Sequence, residues 1–341
     1  MAKTLAVKYR PNIFEDVCGQ SYVVKVLKRQ LELKQFKNCY LFSGPSGTGK
    51  TTLARIFANQ INQNLGAPIE IDAASNNGVD NIKNMVKEAK ERSVYSQYKI
   101  FIIDECHMIT TAGWNAFLKC IEEPPEYSIF IFCTTDPQKI PATILNRVQK
   151  FNLSKIKSSE IFNRLVKICI NENIYYDEDS ISFITKLANG GMRDAISMLD
   201  KCASYSKNLN IESTLNILGN YSYDVFFSLT NSIIDGQENN VLSIVENYYS
   251  EGQDLKLFVE QYLEFIFDLT KYCIFKDLNV INIPSHLIKE IEYVTSIEDN
   301  TKYFVWLSNK ILDLKNLLKN DIYIKTTIEI TFLNLCRNMY S

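Results

Sequence analysis

Short apolar runs alternate with helical patterns from residue 1 to about residue 152. Four of the runs have the length and continuity of strands that are buried on both faces, and they lie at Cys39–Ser43, Ile69–Asp72, Ile100–Asp104 and Ile129–Thr134. Between two of them, Val79, Ile82, Met85 and Val86 recur at helical spacing. Buried strands separated by helices predict a parallel sheet with helices on both faces.

The rest of the chain has only helical patterns. Helices are predicted from Ser158, over Asp179–Leu187 and, after Gly190 and Gly191, over Arg193–Cys202. Beyond residue 207 every segment has a broad apolar helical face. We therefore expect an α/β domain at residues 1–155, a small helical domain at 156–205 and an all-α domain at 206–341.

Composition narrows the class of protein. The chain has 341 residues, of which 46% are hydrophobic and 22% charged, which is typical of globular proteins and excludes disordered and fibrous classes. It has no apolar run of membrane-spanning length and no apolar core of a signal peptide near its start, so we expect a cytoplasmic protein without a membrane partner. The nine cysteines are scattered, without a CxxC pair, and indicate buried reduced thiols.

Charge is unevenly distributed, although the net formal charge is only −2. Residues 1–60 carry ten Lys/Arg and three Asp/Glu, whereas residues 205–341 carry eleven Lys/Arg and eighteen Asp/Glu. A basic first part favours a polyanionic partner for that part, and a chance asymmetry is the alternative.

A phosphate-binding loop follows the first predicted strand. Gly44–Thr51 reads Gly-Pro-Ser-Gly-Thr-Gly-Lys-Thr and matches GxxxxGK[ST] between that strand and a predicted helix over Thr52–Asn59. Glycines allow backbone N–H groups to curl around phosphates, and the helix N-terminus favours the same anion. Lys50 is expected to contact the β- and γ-phosphates and the Thr51 hydroxyl to bind Mg²⁺. The pattern predicts ATP and Mg²⁺ as ligands.

Two carboxylates end the third predicted strand. We expect Asp104 to hold the water shell of Mg²⁺ and Glu105 to orient the attacking water, as in phosphoryl-transfer sites. Acidic residues that only cap a strand are the alternative, and the neighbouring P-loop disfavours it. For His107 we expect a structural or relay role and not acid–base catalysis, and His286 has no candidate partner.

Eight motifs in order resemble the clamp-loader branch of the AAA+ ATPases, and within it the bacterial DNA polymerase III gamma/tau subunits. They are Lys8-Tyr-Arg-Pro11, Phe14-Glu-Asp-Val17, Gly19-Gln20, the P-loop, Ile71-Asp-Ala-Ala-Ser75, Asp104-Glu-Cys-His107, Thr134-Thr-Asp-Pro-Gln-Lys139 and Gly190-Gly-Met-Arg-Asp-Ala195. The resemblance is dense over residues 3–200 and weak beyond. It implies an α/β AAA+ nucleotide-binding domain at 1–155, a helical lid domain at 156–205 and a helical collar domain for oligomerisation at 206–341.

The resemblance also implies roles for single residues. Tyr9, Arg10 and Pro11 would pack against the adenine, Thr135 would sense the γ-phosphate, and Arg193 would reach it from the lid. Arg147 would be an arginine finger that enters the ATP site of the neighbouring subunit. The catalytic set is then Lys50, Asp104, Glu105, Thr135, Arg147 and Arg193, with Thr51 and Asp104 at the metal. The residues that bind the nucleotide are Tyr9, Arg10, Pro11, Gly44, Pro45, Ser46, Gly47, Thr48, Gly49, Lys50, Thr51 and Thr52.

The sequence departs from the family pattern beside the finger and in the loop after the P-loop helix. Asn146 and Val148 flank Arg147 where the family usually has Ser and Cys. The connection Asn59–Pro68 has no cysteine, whereas gamma/tau subunits usually carry a four-cysteine zinc module there. We therefore expect no zinc.

A third departure concerns DNA. Asn76, Asn77 and Gly78 replace basic residues that normally help to hold the DNA backbone in this family. Three lysines on the polar face of the next predicted helix are the candidate substitute, and a solvated helix face is the alternative. These lysines are Lys83, Lys87 and Lys90.

The predicted function is that of an ATP-driven motor subunit of a sliding-clamp loader. Its partners would be a sliding clamp, primer–template DNA and other loader subunits or copies of itself in a ring. The length resembles the short gamma-like form. The missing zinc module and the Asn/Lys/Ile-rich composition indicate a reduced version, with a virus or an AT-rich genome as the two open sources. Two alternatives stay open: a branch-migration type of AAA+ motor, which shares the opening motifs, and a scaffold subunit that does not hydrolyse ATP. Intact Lys50, Thr51, Asp104 and Glu105 disfavour the scaffold.

Overall fold

The computed structural model describes residues 4–218, 223–284, 287–297, 299–319 and 321–337, and His286 lies outside them. The chain folds into two compact units. The first unit comprises residues 1–176 and 184–208, and the second comprises residues 177–183 and 209–341.

The first unit is built on a five-stranded sheet in which every pair is parallel. The strands are β1 (Cys39–Ser43), β2 (Ile69–Asp72), β3 (Lys99–Asp104), β4 (Ser128–Thr134) and β5 (Gln149–Asn152), in the order β2-β3-β4-β1-β5. The four strands expected from the sequence are confirmed. The fifth was not predicted because it is a polar edge strand in which only Phe151 is buried.

Helices cover both faces of this sheet, as the sequence predicts. On one face lie α2 (Ser21–Leu33) and α3 (Lys50–Ile61), and on the other lie α4 (Val79–Ala89), α5 (Thr111–Glu122) and α6 (Ala142–Leu145). The unit also contains α1 (Leu5–Lys8), α7 (Ser158–Glu172) and α9 (Met192–Tyr205), and α8 (Glu178–Leu187) is divided between the two units. Thr110 caps α5, since its hydroxyl accepts a hydrogen bond from the Gly113 N–H. The helix after the P-loop begins at Lys50, two residues earlier than the pattern predicts.

Alternating strand side chains form two cores, one on each face of the sheet. Tyr40 and Phe42 of β1 pack in the core that includes α2 and α3, whereas Leu41 packs in the core that includes α4 and α5. In the second core the Phe101 and Phe130 rings stack with centroids 5.3 Å apart. The two cores hold the sheet from both faces, and they fix the position of β1, the strand that leads into the P-loop.

The second unit is helical, as predicted. Its helices from residue 209 onward are α10 (Ile211–Leu218), α11 (Tyr223–Ile234), α12 (Glu238–Ser250), α13 (Leu255–Phe275), α14 (Ile288–Val294), α15 (Asn300–Leu317) and α16 (Ile324–Arg337). Aromatic rings fill its core around α13, where Tyr262 is fully buried and its hydroxyl lies 3.0 Å from the Thr230 hydroxyl. Two-residue strands, β6 (Tyr175–Tyr176) and β7 (Asn208–Leu209), were not predicted.

The cysteine pattern is also confirmed. All nine cysteines are free thiols, and eight of them are buried. Within the described part of the chain, no helix combines the length and the apolar character that crossing a membrane requires.

Phe101→Ala should lower the free energy of unfolding of the first unit by about 3–5 kcal/mol, because it removes a fully buried ring and leaves a cavity under β4. Urea unfolding followed by Trp114 fluorescence measures this, in a Trp306→Phe background that leaves one tryptophan in the chain. Val94→Ala is the control, because Val94 is 86% exposed and its change should stay within about 0.5 kcal/mol. Equal urea midpoints for Phe101→Ala and the control would contradict the assignment of this core.

Candidate active site

The P-loop connects β1 to α3 in a shape that needs glycine. Gly47 and Gly49 have φ of +71° and +100°, in the left-handed region. A Cβ at Gly44 would lie 2.3 Å from the Leu153 carbonyl oxygen. The Gly44 N–H donates to the Thr134 carbonyl oxygen (3.2 Å), which ties the start of the loop to the end of β4.

Lys50 is held against the carbonyl groups of its own loop. Its Nζ donates to the carbonyl oxygens of Gly44 and Pro45, both at 2.9 Å, and the residue is only 6% exposed. Burial lowers the pKa of Lys50, and the nearby carboxylates of Glu105 and Asp104 act in the opposite direction. The ammonium group is therefore desolvated and positioned at the first turn of α3.

Two oxygen groups meet where α3 begins and β3 ends. The Thr51 hydroxyl donates to Asp104 Oδ2 at 2.8 Å. Mg²⁺ in nucleotide sites is held by few protein ligands with hard oxygen atoms. A hydroxyl and a carboxylate in direct contact beside the P-loop lysine are such a donor set, so the residues fit this ion.

Glu105 follows Asp104 and has its carboxylate held from two sides. The Thr135 hydroxyl donates to Glu105 Oε2 at 3.1 Å, and His107 Nδ1 lies 3.3 Å from the same oxygen. The structure thus brings together Asp104, Glu105 and Thr135, which come from the ends of adjacent strands β3 and β4.

A cavity of about 640 Å³ collects most of the predicted site residues. Such a volume lies in the range of small-molecule sites. Its lining from the predicted set comprises Tyr9, Arg10, Pro11, Ser46, Gly47, Thr48, Gly49, Lys50, Thr51, Thr52, Asp104, Glu105 and Arg193. Three further predicted residues contact residues of this lining without lining the cavity: Gly44 and Pro45 contact Lys50, and Thr135 contacts Glu105. Arg147 does not line the cavity.

The N-terminal segment forms one wall because α7 and α9 hold it. The Leu5 N–H donates to Asp200 Oδ2 (3.1 Å), and Arg164 donates to the Tyr9 carbonyl oxygen (3.0 Å). Lys8 Nζ and the Tyr9 hydroxyl both donate to Glu172. Their partners on α7 and α9, Arg164, Glu172 and Asp200, belong to no motif and were not predicted from the sequence.

The P-loop also contacts the start of α9. The Met192 N–H donates to the Gly47 carbonyl oxygen at 3.0 Å, and a Cβ at Gly47 would lie 2.9 Å from Gly191 Cα. Arg193, Ser197, Asp200 and Ser204 recur at helical spacing on the cavity side of α9. That periodicity, extended from Arg193, is the signal in the sequence that identifies this wall.

Positive charges converge on the cavity. Burial lowers the pKa of the Arg10 guanidinium, and the positive charges of Arg55 and Arg193 lower this pKa further. The carboxylates of Glu70 and Asp104 act in the opposite direction. Together with Lys50, these groups make the cavity suited to a polyanion.

Arg147 is directed elsewhere. Its guanidinium donates to the Thr143 carbonyl oxygen (2.6 Å) and pairs with Glu122 Oε1 (2.8 Å), and its side chain is 39% exposed. Arg147 is therefore accessible at the end of α6 and makes its contacts outside the cavity of its own chain.

The remaining predictions concern DNA and zinc. Ile82 and Met85 of α4 are buried, whereas Lys83, Lys87 and Lys90 are exposed, with Lys90 at the C-cap. In the ranges that the structure describes, no three His, Cys, Asp or Glu side chains are grouped as a metal would require. The expectation of no zinc stays a prediction.

Family models match most of the chain. Residues 67–157 match the DNA polymerase III delta subunit, residues 160–208 the ATPase lid domain of DNA polymerase III clamp-loader subunits, and residues 209–309 domain III of DNA polymerase III subunits gamma and tau.

Solved structures of the Thermotoga maritima RuvB Holliday junction branch migration motor share the fold. One variant is 19% identical with a TM-score of 0.53 and covers 72% of this chain and 86% of its own. At this identity the likeness establishes the AAA+ fold alone.

Curated relatives share more of the sequence. DNA polymerase III subunit tau of Bacillus subtilis is 39% identical over 77% of this chain and 51% of its own length. The gamma/tau subunit of Mycoplasma genitalium is 31% identical over 87% of this chain and 55% of its own, so the chain spans about half the length of these two relatives. DNA polymerase III subunit gamma of Buchnera aphidicola is 32% identical over 90% of each chain. The chain therefore belongs to the gamma/tau family of DNA polymerase III clamp-loader subunits.

Proposed function

We propose that this chain is an ATP-hydrolysing motor subunit of a sliding-clamp loader, which uses ATP to place a processivity clamp on primer–template DNA. The observation that carries the proposal is the contact of Thr51 with Asp104 beside Lys50 and Glu105, at one cavity that Arg193 also lines. Membership of the gamma/tau family supports the substrate and partners. The family-model matches support the division at 1–155, 156–205 and 206–341.

Nucleotide binding would use backbone and cations together. Backbone N–H groups of the P-loop and of the first turn of α3 would donate to the phosphates. Lys50 Nζ would leave the carbonyl oxygens of Gly44 and Pro45 and donate to phosphate oxygens instead. Tyr9, Arg10 and Pro11 form the wall against which the adenine packs. Arg193 adds charge from α9.

Hydrolysis would need positioned groups more than covalent chemistry. Mg²⁺ held by Thr51 and Asp104 would neutralise charge on the β- and γ-phosphates. Glu105 orients the attacking water with its carboxylate, which Thr135 restrains. Thr135 would exchange Glu105 for the γ-phosphate when it acts as a sensor.

Coupling to assembly would come from Arg147. An Arg supplied by the neighbouring subunit stabilises charge on the transferred phosphoryl group and makes hydrolysis depend on a complete ring. The helical second unit would then hold subunits together as a collar. ATP binding would favour the state that grips the clamp and DNA, and hydrolysis would release both.

A branch-migration type of motor is the second candidate, and the structural likeness to RuvB supports it at the level of the fold. The sequence relatives favour the loader.

Turnover should rise when primed DNA and a cognate clamp are added together, and a Holliday junction should not replace them. Lys50→Ala should weaken ATP binding, whereas Glu105→Gln should leave binding intact and reduce turnover by at least about tenfold, since only the positioning of water is lost. Steady-state ATPase and equilibrium nucleotide binding measure these effects. Stimulation by the junction, or equal loss of binding in both variants, would contradict the proposal.

Arg147→Ala should preserve ATP affinity and oligomer mass but abolish the DNA- and clamp-stimulated turnover. Mixing it with Lys50→Ala should restore activity, because some interfaces then combine an intact P-loop with an intact finger. Glu122→Ala is the control, since it removes only the partner of Arg147 within the chain. Failure of every mixing ratio in a freely exchanging homo-oligomer would reject the assignment; if the chain works only with other subunit types, the mixture is tested in that complex.

Changing Lys83, Lys87 and Lys90 to Gln should weaken DNA binding for all sequences alike and lower the slope of log K against log salt by roughly one per lost contact, up to about three. ATP binding without DNA should not change. Replacing the exposed Lys25, Lys34 and Lys37 by Gln is the matched control, because it removes the same charge elsewhere on this unit. Equal slopes for both triple variants would mean that Lys83, Lys87 and Lys90 form a solvated helix face without DNA contacts.

A further inference from the structure

The backbone at Glu105 is held in an uncommon conformation. Its φ of +46° lies in the left-handed region, which is unfavourable for a non-glycine residue. Two hydrogen bonds maintain it: the Glu105 N–H donates to Asp104 Oδ1 (3.1 Å), and the Met108 N–H donates to the Glu105 carbonyl oxygen (2.9 Å). The tight turn that follows, Cys106–Met108, turns the side chain of His107 back towards Glu105.

The imidazole of His107 lies between two oxygen atoms. Its Nδ1 is 3.1 Å from the Thr134 hydroxyl and 3.3 Å from Glu105 Oε2. A carboxylate only accepts hydrogen bonds, so a favourable contact with Glu105 needs the hydrogen on Nδ1. With that hydrogen in place, the ring and the carboxylate form a favourable pair at 3.3 Å.

The surroundings of the ring are rigid. Thr134 is fully buried as the last residue of β4, and its hydroxyl accepts a hydrogen bond from the Asp136 N–H (3.0 Å). The His107 side chain itself is only 12% exposed. A ring fixed in this way constrains the carboxylate that it contacts.

His107 does not line the cavity, whereas Glu105 does. Glu105 is therefore the neighbour through which His107 reaches the cavity most directly. The Thr135 hydroxyl donates to the same Oε2 atom, so both contacts hold one oxygen of the carboxylate.

We infer that His107 is a positioning residue for Glu105, a role that rests on the proposed ATPase function. The contact of Nδ1 with Oε2 restrains the carboxylate so that Oε1 is the oxygen that orients the attacking water, also when Thr135 turns to the γ-phosphate. The Thr134 hydroxyl sets the angle of the ring.

The test compares His107→Ala with His107→Asn in the full-length chain, assembled with its partners where turnover requires them. Loss of the contact between His107 Nδ1 and the Glu105 carboxylate predicts a fall in kcat of roughly tenfold to a hundredfold for His107→Ala, with KM for ATP unchanged. His107→Asn should recover most of this loss, since its amide N–H can donate from nearly the same place as Nδ1. Thermal unfolding of both variants checks that the fold is intact.

A double-mutant cycle separates positioning from general structural support. In the Glu105→Gln background, adding His107→Ala should change the single-turnover rate by less than about twofold, because the ring acts only through the carboxylate. An additive loss in the double variant, a rise in KM equal to the fall in kcat, or wild-type turnover in His107→Ala would overturn the inference. Unchanged turnover in Glu105→Gln alone would instead reject the proposed ATPase chemistry, so the two failures are distinguishable.

Discussion

The site depends on a close contact between two backbones, where the P-loop meets the first turn of α9. The Gly47 carbonyl oxygen accepts the Met192 N–H, and a Cβ at Gly47 would lie 2.9 Å from Gly191 Cα. This contact sets the distance between the phosphate-binding loop and the helix that carries Arg193. Because the contact joins two backbones, the P-loop and the first turn of α9 are held at a fixed spacing. The same hydrogen bond therefore serves both to build the cavity and to connect it with the rest of the lid region.

Charge is the second constraint. Arg10 and Arg193 lie close enough to lower the pKa of Arg10, and Lys50 is buried against carbonyl groups. Like charges gathered in a half-buried site destabilise the fold, and a bound polyanion relieves that cost. Binding and stability are thus linked: a ligand that binds the folded state alone stabilises it by mass action. Of the basic residues in the range 1–60, Arg10 and Lys50 line the cavity.

The sequence predicts well those elements and contacts that depend on a local pattern of apolar and polar residues. Apolar runs identify β1 to β4, and the carboxyl ends of parallel strands meet at one edge, which is why Asp104 and Thr135 could be expected to lie near each other. β5 was not predicted because Gln149–Asn152 has one buried side chain, too few for a pattern. Arg164 and Asp200 were missed for another reason: they bind backbone groups more than 150 residues away, and no spacing rule describes such contacts. The contact of His107 with Glu105 follows from a positive φ at Glu105, which the residue type does not reveal.

The energetics of Arg147 favour a role between subunits. Its pair with Glu122 is partly exposed on both sides, and such surface pairs contribute typically about 1 kcal/mol or less. Releasing that pair is a small cost beside the stabilisation of phosphoryl-transfer charge that an arginine finger supplies in a site closed from water. The short helix α6 follows Pro141 and ends two residues before Arg147. A weak contact within the chain thus keeps Arg147 accessible, and in the proposed ring hydrolysis would wait for the neighbouring subunit.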